Sequence, residues 1–131
     1  MLTLKSNTVT VNQSAEQVYN LYADYRNFES VMPEGTQSFS ATDESMTFTL
    51  KGLPEIKLKT KELRSPELIS LEVAGGKIHF TLSAHISTDT DNTSSLHIAF
   101  EGDINPMMAM MVKQPLQKFI NSLAENIGKK A

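Results

Sequence analysis

Between Gln37 and Asp103 apolar and polar residues alternate with a period of two, in short runs divided by turn-forming clusters. Met46, Phe48 and Leu50 share one parity, Ile56 and Leu58 interleave with Lys57, Lys59 and Lys61, and His97 sits between Leu96 and Ile98. Alternate residues of a strand point to opposite faces of a sheet, so each run reads as a strand with one apolar and one solvated face. The pattern predicts strands over 37–42, 46–50, 55–63, 68–73, 77–87 and 94–103. Asp43-Glu44-Ser45, Gly52 with Pro54, Arg64-Ser65-Pro66, Ala74-Gly75-Gly76 and Asp89-Thr90-Asp91-Asn92 supply the turns between them.

The flanks read differently. Leu4–Val11, rich in Thr and Val, predicts a first strand, which makes seven in all. Ser14 with Gln17 has the spacing of a capping box, and Val18, Leu21 and Tyr22 follow at helical intervals. Asp24 predicts the cap of a second short helix carrying Phe28, Val31 and Met32, ended by Pro33 and Gly35. Asn105-Pro106 predicts the start of a long last helix, since proline at the first helical position gives up no needed donor. Its apolar stripe is Leu116, Phe119, Ile120, Leu123 and Ile127, with Gln117, Lys118, Asn121 and Glu125 opposite. Gly128 ahead of Lys129 and Lys130 is the expected end, and Pro115 is expected to kink or divide the helix. The fold class that follows is α+β: one domain in which a seven-stranded antiparallel sheet is covered on one face by the last helix.

The stretch from Val9 to Pro33 joins a strand, a small polar cap, a helix with a Val-aromatic pair, and then an aspartate, an aromatic and a proline. Together with the element order, it resembles the helix-grip fold of the START and polyketide-cyclase-like (SRPBCC) superfamily over nearly the whole chain. That superfamily includes lipid carriers, cyclases, aromatic-ring hydroxylases and co-chaperone activators, so the likeness selects no activity. What it implies is an elongated cavity between the concave sheet face and the last helix. Parity places Met46, Ile56, Ile69, Val73, Ile78, Ala84 and Leu96 on the inner wall, and the residues expected to line the cavity are Phe48, Leu50, Leu58, Leu71, Phe80, Leu82, Ile98, Phe100, Met108, Met111 and Phe119.

Composition narrows the chemistry. With no cysteine, thiolate nucleophiles, disulfides and iron–sulfur clusters are excluded, and a reducing, cytoplasmic setting is expected. A formal charge of −3 argues against nucleic acid, whose binding draws on clustered Lys and Arg. Met1–Val11 has no unbroken apolar core, so no integral membrane segment or signal peptide is expected there. His79, His85 and His97 alternate with the apolar wall and are expected outside, as are Glu101 and Asp103. No motif for a nucleophile, phosphate or metal is present, and neither cofactor nor metal is expected. Tyr19, Tyr22 and Tyr25 could place a hydroxyl in the pocket, with Tyr22 expected in the core and Arg26 and Arg64 in solvent.

Met107, Met108, Met110 and Met111 fall within five residues where the last helix begins. One narrow helical stripe cannot bury all four, so some face a cavity, a partner or solvent, roles that suit a flexible, polarizable side chain. Three readings stand at this point. The first is binding or transport of a hydrophobic small molecule such as a lipid, quinone or polyketide-like aromatic. The second is a cyclase- or dehydratase-type enzyme in the same cavity, and the third an interaction module or homodimer built on the Met-rich segment.

Overall fold

The structure is a computed structural model that describes residues 2–50, 53–75 and 79–130. Its elements are β1 (Leu2–Lys5), β2 (Val9–Val11), α1 (Ala15–Tyr22), a 3₁₀ helix (Tyr25–Val31), β3 (Thr36–Ala41), β4 (Ser45–Leu50), β5 (Ile56–Arg64), β6 (Leu68–Val73), β7 (His79–Thr88), β8 (Ser94–Asp103) and α2 (Pro106–Lys130). The strands form one antiparallel sheet in the order β1-β8-β7-β6-β5-β4-β3, with β2 also paired to β8. The architecture is α+β with the sheet wrapped around the long C-terminal helix, which is the helix-grip arrangement.

The single first strand expected over Leu4–Val11 is two strands, giving eight among the described residues. Ser6 breaks it: its backbone N–H donates to the Ile98 carbonyl while its hydroxyl accepts from the Ile98 N–H, both at 2.8 Å. A serine side chain can stand in for a backbone partner in this way. The pairing then slips by one residue, from Leu4 opposite Phe100 to Val9 opposite Leu96.

The caps form as the sequence implies. Ser14 Oγ accepts from the Gln17 N–H at 3.2 Å while Gln17 Oε1 accepts from the Ser14 N–H at 3.0 Å. Asp24 accepts from the Arg26 N–H at 3.2 Å, opening the 3₁₀ helix. Asn105 Oδ1 accepts from the Met108 N–H at 2.9 Å, which fixes where α2 starts.

α2 is not divided at Pro115, which is exposed, and it continues past the expected end at Gly128 to Lys130. Proline forfeits one helical hydrogen bond, a loss that the packed stripe on either side offsets. Gly128 serves close approach: a methyl group there would stand 3.3 Å from both the Thr10 carbonyl oxygen and the Val9 Cβ. The helix therefore lies directly against β2, and a larger residue would lift it.

The core fills the space between sheet and helix. Met46, Phe48, Leu58, Ile69, Leu96, Ile98 and Phe100 are buried from the sheet, and Phe119, Ile120, Leu123 and Ile127 from α2. Phe48 and Phe119 stack at 5.5 Å between centroids, joining the two layers. Inner-wall parity therefore holds at these positions, while Ile78 lies outside the described residues. No helix among the described residues is long and apolar enough to cross a membrane.

Candidate functional site

Apolar packing does not fill the whole interlayer space. Under the first three turns of α2 lies a partly open cavity of about 700 Å³. Ile56, Val73, Phe80 and Phe100 form its sheet wall, Leu53, Pro54 and Ala74 its loop side, and Met108, Met111, Val112 and Leu116 its helical roof. The roof residues recur three and four apart, which sets them on one face of the helix. Asn105 sets their phase by capping the first turn.

The sheet wall is shaped by a missing side chain. Phe80 pairs with Gly102 across β7 and β8, and a methyl group at Gly102 would stand 2.8 Å from the Phe80 Cβ. Glycine therefore lets the Phe80 ring tilt over Phe100, with centroids 4.8 Å apart, and both rings face the cavity.

The expected lining residues divide into three groups. Phe80, Phe100, Met108 and Met111 stand on the cavity wall. Leu50 and Phe119 border a neighbouring hollow of about 250 Å³ beneath Pro115, which shares Leu53 with the main cavity. Phe48, Leu58, Leu71, Leu82 and Ile98 are not on the cavity lining and are buried in the core. Parity assigns a face but cannot tell where along a strand the layers separate.

Leu53, Pro54, Ala74, Ile104, Val112 and Leu116 were not expected on the lining. Val112 and Leu116 were discoverable, because they continue the helical face begun by Met108. The loop residues carry no periodic signal.

Polar chemistry is sparse at this site. Of the fifteen lining residues only Glu55 and Lys57 are ionisable, and both are solvent-exposed. The Tyr25 hydroxyl is tied to Thr60 Oγ1. Tyr22 is buried against Phe28, and burial raises its phenol above the ordinary value. Arg26 is at the surface, paired with Asp43 at 2.8 Å. Among the described residues no three His, Asp or Glu side chains converge as a metal site would require.

The histidines lie on the convex face. His85 and His97 pair across β7 and β8 and stack at 4.8 Å, while His79 is exposed. Burial, then Lys5 and Arg64, lowers the His85 pKa below its usual value. Burial, then His85 and Lys5, lowers that of His97. Glu101 and Asp103 are exposed as well.

No protein-family model and no curated protein matches the chain. Solved structures do. XoxI from Bacillus cereus superposes with a TM-score of 0.78 at 10% identity, over 99% of this chain and 95% of that one. Norcoclaurine synthase from Thalictrum flavum, solved in complex with dopamine and hydroxybenzaldehyde, gives 0.72 at 15% identity, over 98% and 86%. A solution structure from Thermobifida fusca gives 0.68 at 16% identity, over 98% and 95%. At these identities the likeness is one of fold, and that fold is the helix-grip fold.

Proposed function

We propose that the chain acts as one domain that binds or carries a hydrophobic small molecule in the cavity beneath α2. The observation that carries this reading is the cavity itself: it is of ligand size, and its walls are apolar apart from Glu55 and Lys57 at exposed positions. A bound molecule burying about 300 Å² of apolar surface gains about 7.5 kcal/mol before association costs, at about 25 cal/mol per Å². Burial alone thus reaches useful affinity without a polar anchor. A lipid, a quinone or a polyketide-like aromatic fits this chemistry.

The norcoclaurine synthase complex supports the aromatic class, because that protein holds two small aromatic compounds within the same fold. Binding is favoured over catalysis on the side-chain inventory. Acid–base chemistry calls for positioned polar groups within hydrogen-bond reach of the reacting atoms, and here the inner walls are hydrocarbon and thioether.

Native mass spectrometry of the purified protein tests the proposal, followed by organic extraction and identification of what is released. The expected spectrum contains a complex with an apolar compound, stripped by solvent and restored on adding it back. A protein that is always empty, and that binds no apolar fluorescent probe, overturns the reading.

A further inference from the structure

Three of the methionines at the start of α2 are among the most exposed apolar side chains described. Met107 is 76% exposed, Met110 84% and Met111 73%, against 1% for Met46 in the core. On a helical projection Met107, Met111, Gln114 and Lys118 follow one line on the outward side and Met110 flanks it, while the exposed Lys113 lies about a third of a turn further round, beside Met110. From Pro106 to Ala124 the helix carries Lys113 and Lys118 and no carboxylate. The ion pairs among the described residues use Arg26 and Arg64, so neither lysine is engaged in one. Of the carboxylates near this part of the helix, Glu55 lines the cavity that Met111 roofs and Glu34 borders the smaller hollow together with Lys118.

We propose that this outward face of α2 is a docking surface for an anionic lipid bilayer. Its make-up is that of an interfacial helix: apolar side chains long enough to enter the headgroup region, and cations beside them to meet lipid phosphates. Met111 adds the link to the cavity, since it is at once exposed and part of the cavity roof. An apolar molecule can therefore pass between bilayer and cavity along thioether surface without crossing water. A second copy of the chain is the poorer occupant. A stable protein interface takes roughly 20–30 residues a side, whereas the exposed apolar set here is three methionines. The face would also set Lys113 and Lys118 against their own likeness.

The inference rests on the cavity reading for its purpose, but the docking is measured separately. The full chain is mixed with vesicles of phosphatidylcholine, or of phosphatidylcholine containing roughly one third phosphatidylglycerol, and flotation measures the bound fraction. Wild-type protein is expected to prefer the anionic vesicles, and the preference to vanish in Lys113→Glu/Lys118→Glu. Partitioning of Met107→Ser/Met110→Ser, at exposed positions off the cavity wall, is expected to fall about tenfold. The proposal is overturned if wild type stays in solution with both vesicle types, or if the methionine variant floats equally well. It is also overturned if light scattering gives a lipid-free dimer that this variant abolishes, because a second copy then holds the face. Native mass spectrometry on the same samples separates the two ideas: a loaded protein that ignores vesicles sinks only the docking, and a docked protein that is always empty sinks only the cavity reading.

Discussion

At its C-terminal end α2 rests on the core, with Ile120, Leu123, Ala124 and Ile127 all buried and Gly128 pressed against β2. Over its first three turns the same helix buries Val112 and Leu116, leaves three methionines in solvent and roofs a cavity of about 700 Å³. The sequence difference behind this contrast is small. Both halves are rich in long apolar residues, but the first has flexible methionines where the second has leucine, isoleucine and phenylalanine at regular core spacing. Branched and aromatic side chains fix a jigsaw, whereas thioethers tolerate a gap and what enters it. One helix thus packs closely at one end and roofs a cavity at the other.

The contrast predicts unequal responses to substitution. Phe48→Ala, which removes a buried ring stacked on Phe119, is expected to cost about 3–5 kcal/mol in urea unfolding. A loss under about 1 kcal/mol would mean that the core there is as loosely packed as the cavity end. Gly102→Ala should cost about 1–3 kcal/mol, because the added methyl pushes on Phe80. It should also weaken ligand binding, since Phe80 is cavity wall; full stability with normal binding would show that the Phe80 tilt does not need the glycine. Met110→Ser, at an exposed position in the open half, should move stability by no more than about 0.5 kcal/mol.

The smallest effect concerns pH. His85 and His97 titrate below their ordinary range in the folded chain, so between that lowered value and the usual 6.5 the unfolded chain binds more protons. Their contribution to stability is complete above the unfolded value and is lost as pH falls through the window. Both groups are largely solvated, which keeps the effect small. Thermal melts from neutral pH to pH 5 should decline less steeply in His85→Gln/His97→Gln than in wild type; parallel declines would place the acid sensitivity elsewhere.

Much of the fold was legible because strand parity, caps and the last helix each depend on neighbours close in sequence. Ser14 with Gln17, Asp24, and Asn105 marked three element starts that the hydrogen bonds reproduce. What escaped is set by distant partners. The Ser6 break depends on Ile98, ninety-two positions away, and Gly128 looked like a helix end until its contact with Val9 and Thr10 was visible. The cavity was legible by face and not by place. Phe80, Phe100, Met108 and Met111 stand on it, while Phe48, Leu58, Leu71, Leu82 and Ile98 are buried in the core away from the lining. Where two layers part is decided by the summed volumes of facing side chains, which no single strand records.

The central claim is that the space beneath the first turns of α2 holds an apolar ligand, and filling that space tests it most directly. Val112 lines the roof, so Val112→Trp should occupy the cavity while leaving the closely packed end of α2 intact. Titration of wild type and variant with N-phenyl-1-naphthylamine, followed by fluorescence, is the measurement. The account predicts saturable binding to wild type and at least about tenfold weaker binding to a folded Val112→Trp protein, a difference of about 1.4 kcal/mol or more. Equal affinity in the two proteins, or no binding to wild type, would contradict it.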